Sequence, residues 1–387
     1  MLGRKRRLVL LAEDHFAPTE AKTAIGVLRY RPDEVVAVID GSRAGKTAAE
    51  CVGVGGDVPV VNGIDAAAAL GADGLLIGIA PQGGRLPESW RGMVAGALDR
   101  GWDVLSGLHT FLADDPDFAA RSARSGAVIH DVRRPPAGKP VAAARAAALD
   151  AHVVLTVGSD CNVGKMTAAL EIRKALEARG RRTAFVATGQ TGIFVADRGA
   201  AVDAIPADFV AGIVEEMVVD AARGADIVLV EGRGSLFHPG YSGVTLALLH
   251  GACPSTMVLC HQADRDVMRV GEANDPPRPM ASLPELVRAC EAAAGWIHPA
   301  RVAAVALHTQ ALDAAAAQEA CARAASETGL PATVKGADTS LILTVPGGIQ
   351  ASSLHIRSCL IATATCFSPG VALGDTTALN SQVAPSG

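Results

Sequence analysis

The sequence predicts two α/β domains, each with a parallel β-sheet covered by helices. Short β-branched segments alternate with alanine-rich helical segments along most of the chain, which is typical of such sheets. At about 100–200 residues per domain, 387 residues accommodate two or three domains, and 49% apolar residues suffice for their cores. We predict a first domain at residues 1–149, a second at 150–334 and an atypical tail at 335–387.

In the first domain, apolar segments are predicted as strands and the segments between them as helices. The chain begins with a strand rather than a signal peptide, because Glu13 and Asp14 interrupt the first apolar run. A proline-rich linker at 133–140 closes the domain and precedes a predicted alanine-rich helix. The predicted strands are residues 8–12, 34–40, 58–61, 74–80, 103–108 and 127–132, and the predicted helices are 23–30, 44–52, 64–70 and 88–100.

The second domain repeats the alternation, and most of its strands end in loops rich in glycine or polar residues. Open α/β sheets bind their ligands at these strand ends, so we expect the functional site there. The predicted strands are residues 152–157, 183–188, 226–230, 256–260 and 302–307, and the predicted helices are 166–179, 209–222, 282–294 and 311–328.

Composition excludes several classes of function. The net charge is −5, from 35 basic and 40 acidic residues, so a basic surface for nucleic acid is not expected. The eight cysteines form no C-x-x-C pair, which argues against a zinc site or a disulfide framework and fits the reducing cytoplasm. No apolar stretch approaches the roughly 18 residues of a membrane span. The tail has few charged residues and no clear period, so we expect a poorly ordered extension.

The clearest functional motif is a glycine-rich loop between a predicted strand and a predicted helix. Glycines let successive backbone amides point at one anion, the helix start adds its positive dipole end, and Lys165 adds a charge, so we predict phosphate binding. Met166 stands where a magnesium-binding hydroxyl is usual, which leaves Thr167 as the possible metal ligand. The loop consists of Gly158, Ser159, Asp160, Cys161, Asn162, Val163, Gly164, Lys165, Met166 and Thr167.

An upstream segment, residues 41–47, also combines glycines with Lys46 and Thr47 between a strand and a helix. It has three residues rather than four before its Gly-Lys pair. Phosphate binding and a plain helix start both remain open for this segment.

Glu231 ends a predicted apolar strand of the second domain. An acid at such a strand end, beside a phosphate loop, can hold magnesium, orient water or accept a proton. Glu231 is therefore the first candidate for a catalytic or magnesium-binding group, and a solvated carboxylate is the alternative. His238 in the same loop is a candidate acid, base or phosphate ligand, or a residue that only forms a hydrogen bond.

Three further features bear on the site. Residues 187–193 are predicted as a loop whose amide, hydroxyl and backbone groups suit a carboxylate or an amide. Asp203 and Asp208 are functional candidates, with capping of the next helix as the alternative for Asp208. Cys161 lies among the amides of the phosphate loop, so we expect its pKa to be depressed.

Together these motifs resemble a family long described as a domain of unknown function, whose characterised members are D-glutamate N-acetyltransferases. The resemblance covers about residues 8–333 and rests on residues 158–167, 187–193, 202–204, 208–212 and 231–239, with 78–87 and 106–109 of the first domain. It implies an α/β fold with an N-terminal Rossmann-like parallel-sheet domain followed by a P-loop NTPase-like α/β domain.

The resemblance also implies transfer of acetyl from acetyl-coenzyme A to the amine of D-glutamate or a similar amino acid. The phosphate loop would then bind the coenzyme A phosphates, and Glu231 or His238 would be the base. Lys165, Arg233 or loop amides would bind the oxyanion or the substrate carboxylates. The expected substrate contacts are Gln190, Thr191, Gly192, Arg233 and Ser235.

Two other functions remain open. The phosphate loop and residues 231–234 are also similar to dethiobiotin synthetase, which would mean ATP-dependent activation of a carboxylate with Mg²⁺ on Thr167 and Glu231. A nucleotide-binding regulatory module is the non-enzymatic alternative. A GTPase is disfavoured, because residues 261–265 lack the guanine-reading N-K-x-D motif. We expect a cytoplasmic homo-oligomer that acts on a small-molecule amino-acid substrate, without nucleic-acid or membrane partners.

Overall fold

The computed structural model describes residues 4–268, 270 and 276–334. Two six-stranded sheets dominate these residues, and neighbouring strands in both sheets run parallel. The predicted α/β class with two parallel-sheet domains is therefore confirmed. The predicted tail at 335–387 lies outside the described residues.

The first sheet comprises β1 (Leu8–Leu11), β2 (Val35–Ile39), β3 (Val60–Val61), β4 (Gly74–Ile77), β5 (Asp103–Ser106) and β6 (Ile129–Asp131). Its strand order is β3-β2-β1-β4-β5-β6. β1 and β4 are buried along their whole length, as parallel strands covered by helices on both faces should be. The strand order reverses between these two strands, which places a ligand crevice at their carboxyl ends.

Five helices accompany the first sheet: α1 (Lys22–Tyr30), α2 (Ala48–Val52), α3 (Ile64–Ala69), α4 (Arg91–Asp99) and α5 (Pro116–Ser125). α5 was not predicted from the sequence, although Asp115 caps it and Pro116 begins it. α2 begins later than predicted because the side chains of Thr47 and Glu50 form a reciprocal capping box. The segment 41–47 is thus a helix start in this structure.

The second domain contains β7 (His152–Gly158), β8 (Thr183–Val186), β9 (Ile227–Val230), β10 (Thr256–Gln262), β13 (Arg301–His308) and β14 (Ala332–Val334). They form a sheet of order β14-β13-β10-β7-β9-β8. β11 (Val267–Met268) and β12 (Arg278–Pro279) pair separately and antiparallel. Since β7 is flanked by β10 and β9, the loops that follow these three strands lie side by side at one edge of the sheet.

The helices of the second domain are α6 (Lys165–Glu177), α7 (Gln190–Ala196), α8 (Ala207–Ala222), α9 (Ser242–Ala252), α10 (Leu283–Gly295) and α11 (Ala314–Thr328). The sequence analysis missed α9 and β14. It was wrong in treating residues 187–193 as a loop, because α7 begins at Gln190. No helix among the described residues has both the length and the apolarity that a membrane crossing requires.

The predicted helix after the linker was also wrong. Only a 3₁₀ turn, Arg145–Ala148, forms there. Ala144 adopts a left-handed conformation with φ 55°, which interrupts an α-helix. Buried Glu215 of α8 accepts hydrogen bonds from the backbone amides of Ala143 and Arg145, so the segment after the linker is held against α8.

α7 connects the two domains. It packs against α1, and its Phe194 side chain belongs to the hydrophobic core of the first domain. Arg31, which follows α1, donates a hydrogen bond to the carbonyl oxygen of Phe194 at 2.7 Å. Tyr30 of α1 donates a hydrogen bond to Glu171 of α6 at 2.8 Å. Helix α1 of the first domain is therefore fixed to α6 and α7 of the second domain, which lie next to the phosphate loop.

The close contact between the linker and α8 gives a testable prediction. A Cβ atom at Gly212 of α8 would lie 1.9 Å from the carbonyl oxygen of Pro140, whereas a Cβ at Gly92 of α4 would have no described heavy atom within 4 Å. We expect Gly212→Ala to lower the free energy of unfolding by roughly 1–3 kcal/mol through overpacking. Gly92→Ala should raise it by about 0.5–1 kcal/mol through helix propensity. Denaturant unfolding of both variants tests this, and equal effects would contradict the contact.

Candidate active site

The candidate site lies where the two domains meet. Residues that follow the carboxyl ends of β1, β5 and β6 contact residues that follow β7 and β8. Glu231, which follows β9, interacts electrostatically with Lys22. Lys22, Gly107 and Arg133 come from the first domain. The ligand-binding edges of the two sheets thus face the same cleft, which is a common location for a ligand site.

The phosphate loop occupies the second-domain side of this cleft. β7 ends at Gly158 and α6 begins at Lys165. Gly164 and Asn162 have φ of 97° and 58°, a left-handed backbone that lets the loop curl around a central position. The Lys165 ammonium is buried and donates a hydrogen bond to the Asp160 carbonyl oxygen at 2.6 Å. Burial lowers the pKa of Lys165 to about 8, so its charge depends on pH near neutrality.

A second lysine reaches the phosphate loop from the first domain. The ammonium of Lys22, at the start of α1, donates a hydrogen bond to the Asn162 side-chain oxygen at 2.9 Å. Lys22 keeps solvent access although protein surrounds it, as expected for a group at the floor of a cleft. Desolvation lowers its pKa, Glu231 opposes the shift and Arg233 adds to it. Two ammonium groups therefore flank the loop, one from each domain.

Glu231 lies directly after β9 and is buried. Its Oε2 atom accepts hydrogen bonds from the backbone amides of Thr188 at 3.0 Å and Gly189 at 3.2 Å. A Cβ atom at Gly192 would lie 2.3 Å from the same oxygen, so α7 approaches this closely only because residue 192 is glycine. Burial raises the pKa of Glu231, although Arg233, the two amides and Lys22 oppose the shift. A carboxylate with a raised pKa is suited to accept a proton.

Asp203 binds two arginines at the domain boundary. It accepts from Arg233 Nη2 at 2.8 Å and from Arg133 Nη1 of the first domain. Burial would raise the pKa of Asp203, but Arg233 and Arg133 outweigh it and keep the pKa below its usual value. Because Arg233 also lies beside Glu231 and Lys22, the cleft combines a buried acid with several cationic groups. Such a set suits an anionic substrate whose amine must lose a proton.

Asp160, Cys161 and His238 bring three potential metal-ligand atoms within 4.8 Å of one another. Two contacts argue against a cation there. Arg265 Nη1 already donates to Asp160 Oδ2 at 3.2 Å. His238 Nδ1 accepts from the Gly240 amide at 3.1 Å, so the neutral imidazole carries its proton on Nε2, the atom that faces Asp160 at 4.0 Å. In this arrangement His238 is a hydrogen-bond donor rather than a base.

The expectation for Cys161 was wrong. Burial raises the pKa of its thiol, and the lowering effect of Lys165 is smaller. Thr167 lies beside Tyr30 of the first domain. Met166 occupies the position after Lys165, and its methyl group lies near Gly26 of α1. Magnesium binding by Thr167 and Glu231 stays a prediction.

The predicted substrate contacts fall into two groups. Arg233 is half-buried beside Glu231 in the cleft. The others are buried in structural contacts: Gln190 binds Arg133, Thr191 Oγ1 lies 3.1 Å from Thr23 Oγ1, and the Ser235 hydroxyl accepts from the Phe237 amide at 3.3 Å. Asp208 lies in the first turn of α8 and makes no side-chain capping bond.

Lys22, Arg133 and His109, which the first domain contributes, were not predicted as site residues from the sequence. His109 follows β5, and desolvation together with Arg133 lowers its pKa. Lys22 is the first residue of α1 and Arg133 lies in the linker, and neither belongs to a recognisable motif. The available signal was position, since both follow predicted strands at the edge where α/β sheets bind ligands.

Comparison with known proteins agrees with this architecture. Residues 41–135 match a family model described as a "Rossmann-like domain" (DUF1611_N), and residues 140–340 match one described as a "P-loop domain" (DUF1611_C). Both are labelled domains of unknown function. The chain belongs to the DUF1611 family. The Rossmann-like and P-loop domains implied by the motifs are therefore confirmed.

A DUF1611 protein from Anabaena variabilis has a similar crystal structure, with a TM-score of 0.80 and 41% identity over 85% of this chain and 95% of that one. A D-glutamate N-acetyltransferase from Tritonibacter scottomollicae is 40% identical over 64% of this chain and 71% of its own length. Another D-glutamate N-acetyltransferase, from a Pseudoalteromonas species, is 33% identical over 68% of this chain and 78% of its own length. The DUF1611 chain described here is accordingly an enzyme of the acyltransferase class, with N-acetyltransferase activity.

Proposed function

We propose that this enzyme transfers the acetyl group of acetyl-coenzyme A to the amine of D-glutamate, in the cleft between its domains. The observation that carries the proposal is the buried carboxylate of Glu231, which lies close to Arg233 and Lys22 and beside the phosphate loop. This set offers a proton acceptor, cations for a dicarboxylate and a phosphate cradle in one place.

The donor would bind through its diphosphate. Amides of the phosphate loop, the start of α6 and the Lys165 ammonium recognise a diphosphate irrespective of what it is attached to. The Lys165 ammonium donates a hydrogen bond to the carbonyl oxygen of Asp160. A bound phosphate would replace this carbonyl oxygen as the acceptor. Lys22 lies within reach of the same loop through Asn162 and closes it from the first domain.

The acceptor would bind beside Glu231. Arg233, which Asp203 orients, would bind a substrate carboxylate, and Lys22 would supply a second positive charge. An amino acid with two carboxylates matches these cations better than a neutral amino acid. The arginine pair on Asp203 joins both domains, so substrate affinity depends on how the domains are held together.

The chemistry would follow from these positions. Glu231 accepts a proton from the substrate ammonium, and the free amine attacks the thioester carbonyl carbon. The carbonyl oxygen becomes an oxyanion, which an ammonium of Lys22 or Lys165 or the Nε2–H of His238 can stabilise. Collapse of the tetrahedral intermediate breaks the carbon–sulfur bond and expels coenzyme A as a thiolate. The attacking nitrogen gives up its extra proton, which the thiolate takes up, so the products are the N-acetyl amide and the free thiol of coenzyme A. ATP and Mg²⁺ have no part in this sequence.

A thiol-release assay tests the proposal. The full chain is incubated with acetyl-coenzyme A and a panel of D- and L-amino acids, with and without ATP and Mg²⁺. We expect release of free thiol with D-glutamate, less with L-glutamate and neutral amino acids, and no effect of ATP. The N-acetylated product is confirmed by mass spectrometry. ADP formation with a small carboxylate, without thiol release for any amine, would instead support the ATP-dependent alternative.

A further inference from the structure

A cavity of about 330 Å³ opens next to the phosphate loop, at the carboxyl ends of β10 and β13 and against α10 and α11. This volume falls within the usual range for small-molecule sites. The cavity is on the β10 side of the phosphate loop, whereas Glu231 follows β9 on its other side. It is therefore separate from the acetyl-transfer cleft.

Two direct contacts join this cavity to the phosphate loop. His261, which lines the cavity, places its Nδ1 atom 2.9 Å from Ser159 Oγ. Arg265, another lining residue, donates to the Cys161 carbonyl oxygen at 2.8 Å. Because the same residues support the loop and line the cavity, a ligand held by its phosphates on the loop can extend directly into it.

The lining is more polar than apolar, and it suits a flat heterocyclic base attached to a sugar phosphate. Met280, Leu283 and Leu307 supply the smaller, apolar part of the lining, and the carboxylates of Asp266 and Glu327 can accept hydrogen bonds from amino or hydroxyl groups. These are the requirements of an adenine ring and a ribose. The neighbouring loop lacks the motif that selects guanine.

Arg323 of α11 adds a specific positive charge. Its side chain is exposed at the cavity, and it forms no ion pair within residues 4–268, 270 and 276–334. Desolvation, Arg265 and Arg323 together lower the pKa of His261 to about 4, against the opposing effect of Asp266 and Asp264. The imidazole is thus neutral at physiological pH and can face a base, while Arg323 can receive an anion.

We infer that this cavity binds the adenine nucleotide end of coenzyme A and that Arg323 receives its 3′-phosphate. The inference rests on the proposed function, because it takes coenzyme A as the donor. Coenzyme A carries a diphosphate at the ribose 5′ position and a separate 3′-phosphate, whereas ADP and ATP lack the latter. Arg323 would therefore distinguish coenzyme A from the common adenine nucleotides.

Calorimetric binding of coenzyme A, dephospho-coenzyme A and adenosine 3′,5′-bisphosphate to the full chain tests the inference. Dephospho-coenzyme A lacks only the 3′-phosphate. We expect wild-type protein to prefer coenzyme A by roughly tenfold, the usual size of one charge-assisted contact. Arg323→Ala should remove this preference, and higher salt should weaken it in the wild type. Arg288→Ala, an exposed arginine of α10 outside the cavity, is the matched control and should retain the preference.

The outcomes separate this inference from the proposed function. If wild-type protein binds both coenzymes equally, or if Arg323→Ala keeps the preference, the cavity assignment is overturned even when thiol release with D-glutamate is normal. If acetyl-coenzyme A is not turned over with any amine, the proposed function fails. Binding of adenosine 3′,5′-bisphosphate needs no turnover and still decides the cavity: weakening in Arg323→Ala supports the assignment, and no weakening overturns it.

Discussion

Replacing Lys165 with methionine is expected to reduce kcat/KM for acetyl-coenzyme A by about 100-fold or more. The ammonium is the charged group at the centre of the phosphate loop, and methionine preserves the bulk of the buried stem while removing the charge. Removing one preorganised donor from a desolvated site usually costs this much. Steady-state kinetics with varied donor provides the measurement.

Lys174→Met, at an exposed position of the same helix, is the matched control and should retain activity. The pKa of Lys165 is lowered from 10.5 to about 8, so its charged form is disfavoured by folding. This cost to stability is fully present below pH 8 and disappears as the pH rises through 10.5. Lys165→Met should therefore unfold no more easily than wild type at pH 7. Inactivity together with a large loss of stability would indicate misfolding rather than loss of phosphate binding.

Glu231→Gln is expected to lower kcat by roughly 10²- to 10⁴-fold, the usual contribution of a general base. Glutamine retains an oxygen that can accept from the amides of Thr188 and Gly189, so the local hydrogen bonds are kept. The defect should shrink at alkaline pH, where more of the substrate amine is already deprotonated. A purely structural role for Glu231 would not produce this pH dependence.

The wild-type pH profile follows from the same two groups. The value of kcat/KM should rise with pH as Glu231 loses its proton, which occurs above the ordinary glutamate pKa of 4.5. It should fall again near pH 8, where Lys165 loses its charge. Glu231→Gln should abolish the acidic limb, and the exposed control Glu319→Gln should keep it.

Ionisation of Glu231 should lower the free energy of unfolding, although the same ionisation raises kcat/KM. Because the pKa of Glu231 is raised by folding, the native state is penalised for its charge above about pH 4.5, and the penalty vanishes below that pH. Glu231→Gln should therefore be at least as stable as wild type at pH 7 and equal to it at pH 4. A variant that is less stable at both pH values would contradict this account.

The phosphate loop was predictable because all the residues that form it are consecutive in the sequence. Strand, glycines, Lys165 and helix follow one another within a single local segment, and their geometry depends mainly on backbone conformation. Glu231 was predictable for a related reason, since it ends an apolar strand at the same edge of the sheet. Both features need only secondary structure and the rule for ligand sites in parallel sheets.

Errors arose where a distant contact overrode local preference. The alanine-rich segment after the linker has high helix propensity, yet Glu215, about 70 residues away, binds its amides and prevents an α-helix from forming there. Residues 187–193 were predicted as a loop because they are rich in glycine. Phe194 packs in the core of the first domain, and the segment that carries it forms α7.

The sequence by itself determined two parallel α/β domains, a phosphate loop with Lys165 and an acid at the end of β9, because these depend on periodicity and on neighbouring residues. Only the tertiary structure decided that Lys22 and Arg133 of the first domain join Glu231 and Arg233 in one cleft. The physical reason is that α1 and α7 pack together across the domains. The pKa shifts of Glu231 and Lys165 likewise come from burial, which no local pattern specifies.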